Sequence, residues 1–126
     1  MIISKEKFAK LVAEAIDEIQ EEFGEKMHNV AIFAEDYPAQ EQFKKTGRNK
    51  NFVLFGLFEG YAQAKRLNFG AVLPDKITIF RKAICDYSNS EEEIKQKVIS
   101  TVKHEIAHHF GSDEKGASRA SRNKTE

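Results

Sequence analysis

Apolar residues in the first two dozen positions return at steps of one, three and four. Phe8, Leu11, Val12, Ala15, Ile16, Ile19 and Phe23 are separated by Lys and Glu, which predicts an amphipathic helix of about five turns, capped by Ser4 and stopped at Gly24. The period then changes. "NVAIFAED" sets Val30, Ile32 and Ala34 on one side and Ala31 and Phe33 on the other, the pattern of a short buried strand. Pro38 and "AQEQFKKTGRNKN" keep no period and read as a long polar loop, while "FVLFGLFEG" and "KITIFRKAI" are further strand candidates rich in β-branched and aromatic residues. From Ser90, "SEEEIKQKVISTVKHEIAHHFG" opens with Ser90 and Glu93 at capping-box spacing, stacks acids in its first turn and closes at Gly111. Helices and strands in this order predict an α+β fold, with a small mixed sheet of three or four strands packed on the N-terminal helix and the long last helix.

Composition narrows the setting. At 126 residues, 40% hydrophobic and 32% charged, the chain suits a single domain with a modest core. Lys plus Arg equal Asp plus Glu at 20 each, so no global field draws in nucleic acid or an anionic membrane, and any partner is recognised locally. The lone Cys85 has no cysteine to pair with, which fits a reduced, cytoplasmic setting. The most apolar later run, "FVLFGLF", falls far below the roughly 18 residues of a membrane span.

The candidate chemistry lies at the end of the last helix, in "HEIAHHFGSDE", residues 104–114. At about 100° per residue, Val98, Ile99, Val102, Ile106 and Phe110 fill one arc and Thr101, His104, Glu105 and His108 another. The apolar arc is expected to pack on the sheet, leaving the polar arc to look along the sheet's rim into a cleft. His104 and His108, one turn and about 6 Å apart along the axis, can share one metal ion. Glu105 points beside that ion, where a general base stands to take a proton from a metal-activated water. Glu93 is about 16 Å away by helical rise, too far to contribute. Past Gly111, which can turn the chain back, Asp113 and Glu114 are the carboxylates in reach, so either of them is the third protein ligand.

These residues resemble the H-E-[IL]-[GA]-H-H-F-G-x-[SD]-D signature of the small bacterial zincin-like metallopeptidases. "GLFEG" is similar to that family's G-L-Y-x-G stretch, "PDKITIFRKAI" to its P-D-R-I-T-L-Y-R-x-P-[IL] strand and "NVAIFAED" to its first strand, in the same order, over roughly residues 5 to 114. The resemblance implies a minimal zincin-like fold and a zinc ion held by His104 and His108 with Glu105 as base. It also implies hydrolysis of peptide bonds in a peptide or protein substrate. The family usually places two residues between the glycine and its aspartate ligand. Ungapped, that spacing lands on Glu114, and a one-residue deletion would move it to Asp113. Glu114 is the expected third ligand. The family then continues through a short helical stretch, where this chain has the polar, basic "KGASRASRNKTE". Residues 1–114 are expected to form the domain and 115–126 a disordered tail. With so little chain after the motif, the expected cleft is shallow or completed by a protein partner.

Two rival functions are a metal-dependent endoribonuclease and a zinc module without catalysis. The bacterial ribosomal-RNA maturation family has a similar H-x3-H-x2-G-x2-H arrangement, but it lacks a glutamate after its first histidine and has a histidine where Glu114 stands. A purely structural zinc site usually closes all four positions. Other residues have plain readings. His109 turns to the apolar side, His28 is a turn histidine and Cys85 a small core residue. Tyr37, Tyr61 and Tyr87 have no position that singles one out as an oxyanion donor.

Overall fold

The computed structural model describes residues 1–27, 29–48, 52–60 and 75–111. Along them run α1 (Lys5–Phe23), a 3-10 turn (Gly24–Met27), β1 (Val30–Glu35), α2 (Gln40–Lys45), β2 (Gly56–Glu59), β3 (Asp75–Phe80), α3 (Arg81–Asp86) and α4 (Glu91–Gly111). The arrangement is α+β, as the periodicities predict. His28, Tyr61, Asp113, Glu114 and the 115–126 tail lie outside the described residues, as do the side chains of His109 and Phe110.

The Ser4 hydroxyl accepts the Lys7 N–H at 3.0 Å and starts α1, whose stripe of Phe8, Leu11, Val12, Ala15 and Ile19 is buried. The helix ends at Phe23 with Gly24 as its C-cap, as expected. Gly24 is right-handed at φ −35°, and the chain tightens into the 3-10 turn because the apolar stripe continues to buried Met27. The left-handed residue is Asn29, at φ 62°, a role asparagine fills at low cost.

The described strands form a sheet of order β1-β3-β2, with β1 parallel and β2 antiparallel to β3. The central strand is buried on both faces at Ile77, Thr78, Ile79 and Phe80. In contrast to the buried strand expected for "NVAIFAED", β1 lies at the edge of the sheet among the described residues and its last three residues are exposed, Phe33 at 47%. The long polar loop contains α2. That helix buries no residue, so hydrophobic periodicity had nothing to register; it starts where the Gln42 side chain accepts the Ala39 N–H at 2.8 Å. "KITIFRKAI" is strand only to Phe80. Ile84 and Cys85 are both buried, and consecutive side chains share one face in a helix but not in a strand. Arg81 secures this corner, donating to Asp36 Oδ1 at 2.8 Å and to the Ile3 carbonyl at 3.3 Å.

At the start of α4 the Ser90 hydroxyl accepts the Glu93 N–H at 3.1 Å, as the capping box predicts, while the Glu93 carboxylate takes the Asn89 N–H at 2.7 Å rather than that of Ser90. Ile94, Val98 and Val102 are fully buried. The apolar arc of α4 is shared between α1 and the sheet: the helix packs on α1, β2, β3 and α3. Ion pairs Lys7–Glu91, Lys95–Glu18 and Lys103–Glu22 follow the α1–α4 seam in the same chain direction. They are exposed or half-exposed and add little to stability; the shared apolar core holds α4 in place.

Candidate metal centre

Because α1 takes part of the apolar arc, the polar arc of α4 is turned under the edge strand β2. It does not open into a cleft along its whole length, as expected from the helical wheel. Thr101 is buried there. Glu105 follows one turn later, half-buried, and His108 is exposed.

His104, Glu105 and His108 each offer a ligand atom, and the three atoms lie within 4.8 Å of one another. The imidazole centroids of His104 and His108 are 4.1 Å apart with their planes at 52°, closer than the rise of one turn. Two imidazole nitrogens match the donor chemistry of zinc, and the spacing lets both rings turn toward one ion with the Glu105 carboxylate beside it. The structure therefore brings together three of the four site residues named from the sequence. The fourth, Glu114, lies outside the described residues.

What the sequence reading missed is the contact that holds Glu105. Immediately before β2 the Phe55 carbonyl accepts the Phe80 N–H. By antiparallel alternation Phe55, Leu57 and Glu59 direct their backbone groups at β3, and Gly56 and Phe58 direct theirs outward. Glu105 Oε1 accepts the outward N–H of Phe58 at 3.0 Å. A strand-edge donor, not another side chain, sets the carboxylate's position.

Burial pushes the Glu105 carboxyl up to about 7, and the Phe58 N–H pulls the other way without overcoming it. A carboxyl near 7 is poised to change protonation state at neutral pH, as a general base requires. It also carries a stability signature. In protein stripped of metal by a chelator, Glu105 is protonated in both folded and unfolded states below about pH 4.5, its ordinary value. As pH rises toward about 7 the unfolded chain releases this proton while the folded chain keeps it, so the folded state loses ground, fully so above about 7. At about 1.4 kcal/mol per pH unit, less the relief from partial exposure, stripped wild type should lose about 2 kcal/mol from this group between pH 5 and pH 8. Glu105→Gln should lack that loss, and denaturant titrations at both pH values measure it. An equal pH slope in both proteins would remove Glu105 as its source.

A long helix carrying two histidines one turn apart, with a glutamate held against the edge strand of a small mixed sheet, has the architecture of the zincin class of metallohydrolases. The model of the zincin-like metallopeptidase family matches residues 27–121, and the chain belongs to that family. None of the curated proteins compared matches the chain. No helix among the described residues is long and apolar enough to cross a membrane.

Of the remaining residues, Cys85 is buried and its thiol is pushed up by that burial, consistent with a core role. Tyr37 and Tyr87 are exposed, at 67% and 57%.

Proposed function

We propose that this chain is a zinc-dependent peptidase acting on peptide or protein substrates in the cytoplasm. Its metal ligands would be His104, His108 and Glu114, with Glu105 as general base. The observation that carries the reading is the placement of Glu105: half-buried, pinned to the edge strand and among the ligand atoms of both histidines. A zinc ion held there would supply Lewis acidity to a carbonyl and to water. Glu105 accepts the proton of the attacking water at its carboxylate and delivers it to the leaving amine nitrogen. The Phe58 N–H orients that carboxylate throughout. An extended peptide would lie along the side of β2 that faces away from β3, where, among the described residues, Gly56 directs its backbone groups outward. The site is exposed at His108, which fits a shallow cleft or one completed by a protein partner.

The test is metal analysis of the purified protein with an unbiased peptide-library digest and an RNA cleavage assay run in parallel. About one zinc per chain with peptide cleavage supports the reading. RNA cleavage would assign the chain to a nuclease, and zinc with neither activity to a binding module.

The third ligand has its own expected outcome. Glu114→Ala should weaken zinc binding more than Asp113→Ala, because Glu114 has the family spacing and the longer reach. Competition titrations with a chromogenic chelator rank the two, and the reverse order would transfer the role to Asp113.

A further inference from the structure

Glu105 can bond to Phe58 only because α4 lies unusually close to β2, and the closeness has a specific cause. A Cβ built on Gly56 would stand 2.5 Å from Thr101 Cγ2 and 3.2 Å from the Thr78 carbonyl oxygen. The first distance is far inside the 3.5–4.0 Å of carbon–carbon contact. Thr101 and Glu105 are one helical turn apart on the same stripe of α4, and Gly56 and Phe58 are two residues apart on the same face of β2. A four-residue helical step advances about 6 Å and a two-residue strand step about 6.8 Å. The two ladders therefore run in step, Thr101 against Gly56 and Glu105 against Phe58.

We infer that Gly56 is a positioning residue: its missing side chain admits the Thr101 methyl and so sets the height of Glu105 against the edge of β2. The backbone of Gly56 does not have the positive φ that requires glycine, so an alanine there is allowed by conformation and, on strand propensity alone, favoured. The sole obstacle is space. Glycine inside a strand marks places where another group approaches closely, and here that group is the Thr101 methyl, one helical turn before the carboxylate that bonds Phe58. This inference rests on the reading of Glu105 as general base for its consequence in catalysis, but not for its geometry.

The test compares Gly56→Ala, Thr101→Ser and the double variant. Alanine should lift α4 off β2 by the order of an ångström. The Phe58 N–H should then lose its bond to Glu105 and exchange with solvent at least 10-fold faster, relative to the core amides of Ile77 and Val98. If wild type cleaves peptides, kcat should fall roughly 100-fold with little change in KM, the usual penalty for a misplacement of this size. Thr101→Ser removes only the colliding methyl, so adding it to Gly56→Ala should restore Phe58 protection and most of kcat. Amide exchange is read in full-length protein with and without zinc, and it reports whether or not any peptide is cleaved. If the wild type shows no peptidase activity while exchange behaves as stated, the positioning stands and the catalytic reading fails. If Gly56→Ala leaves Phe58 protection unchanged, or if Thr101→Ser does not restore it, the inference is overturned. A Gly56→Ala protein that fails to fold is covered by the same criterion, since the double variant must then recover both fold and protection.

Discussion

Glu105→Gln should keep its zinc and lose hydrolysis by a factor of roughly 100 to 10,000, the range general-base groups contribute. The substitution is nearly isosteric, and the glutamine carbonyl can still accept the Phe58 N–H that Glu105 accepts at 3.0 Å. What it loses is the ability to take a proton. Because the charged form of Glu105 is held at a cost by burial, the neutral variant should fold at least as well as wild type near pH 8 once metal is removed. Loss of activity could then not be blamed on unfolding. The expected kinetic pattern is a fall in kcat with KM nearly unchanged, since the side chain is used in proton transfer and not in holding substrate. Steady-state assays on whichever peptide the library digest yields, with zinc content measured on the same samples, settle the matter. A variant that cleaves as fast as wild type would leave the proton transfer to some other group.

Much of this arrangement was legible in the sequence where a local rule has one physical meaning. Ser4 and Ser90 cap the helices they were expected to cap, because a hydroxyl before an amphipathic run satisfies end donors whatever the tertiary surroundings. The pairing of His104 with His108 follows from helical pitch alone. Other features were set by what a segment packs against, and no local pattern encodes that. Alternation in "NVAIFAED" shows that β1 is extended, but not that Phe33 is exposed. The "KITIFRKAI" run turns helical after Phe80 because Ile84 and Cys85 both have to enter the core. The helical wheel placed Val98, Ile99, Val102 and Ile106 on the buried arc of α4, as found. It could not show that α1 would take part of the apolar arc and turn Thr101 and Glu105 under β2. The one sequence signal for that contact was Gly56 itself, an isolated glycine inside a strand pattern, which marks a bulge or a close approach.

His104→Ala and His108→Ala should each abolish zinc binding at concentrations that saturate wild type, because two remaining protein ligands rarely hold the ion against water. The histidines differ in burial, half-buried at His104 and exposed at His108, and this makes the pair informative. At an exposed position a substitution usually changes stability by no more than about 0.5 kcal/mol, so the metal-free form of His108→Ala should unfold like metal-free wild type. Zinc should separate them. Binding to the folded state alone adds about 2.7 kcal/mol when free metal is 100 times the dissociation constant, so wild type should gain several degrees in melting temperature on zinc addition and His108→Ala none. For His104→Ala the metal-free fold itself should weaken as well, because the change empties a half-buried position, but the zinc increment should again vanish. Melting curves with and without zinc, with bound metal measured directly, distinguish the two effects. A full zinc increment in either variant would place the ligands elsewhere and dissolve the site proposed for this helix.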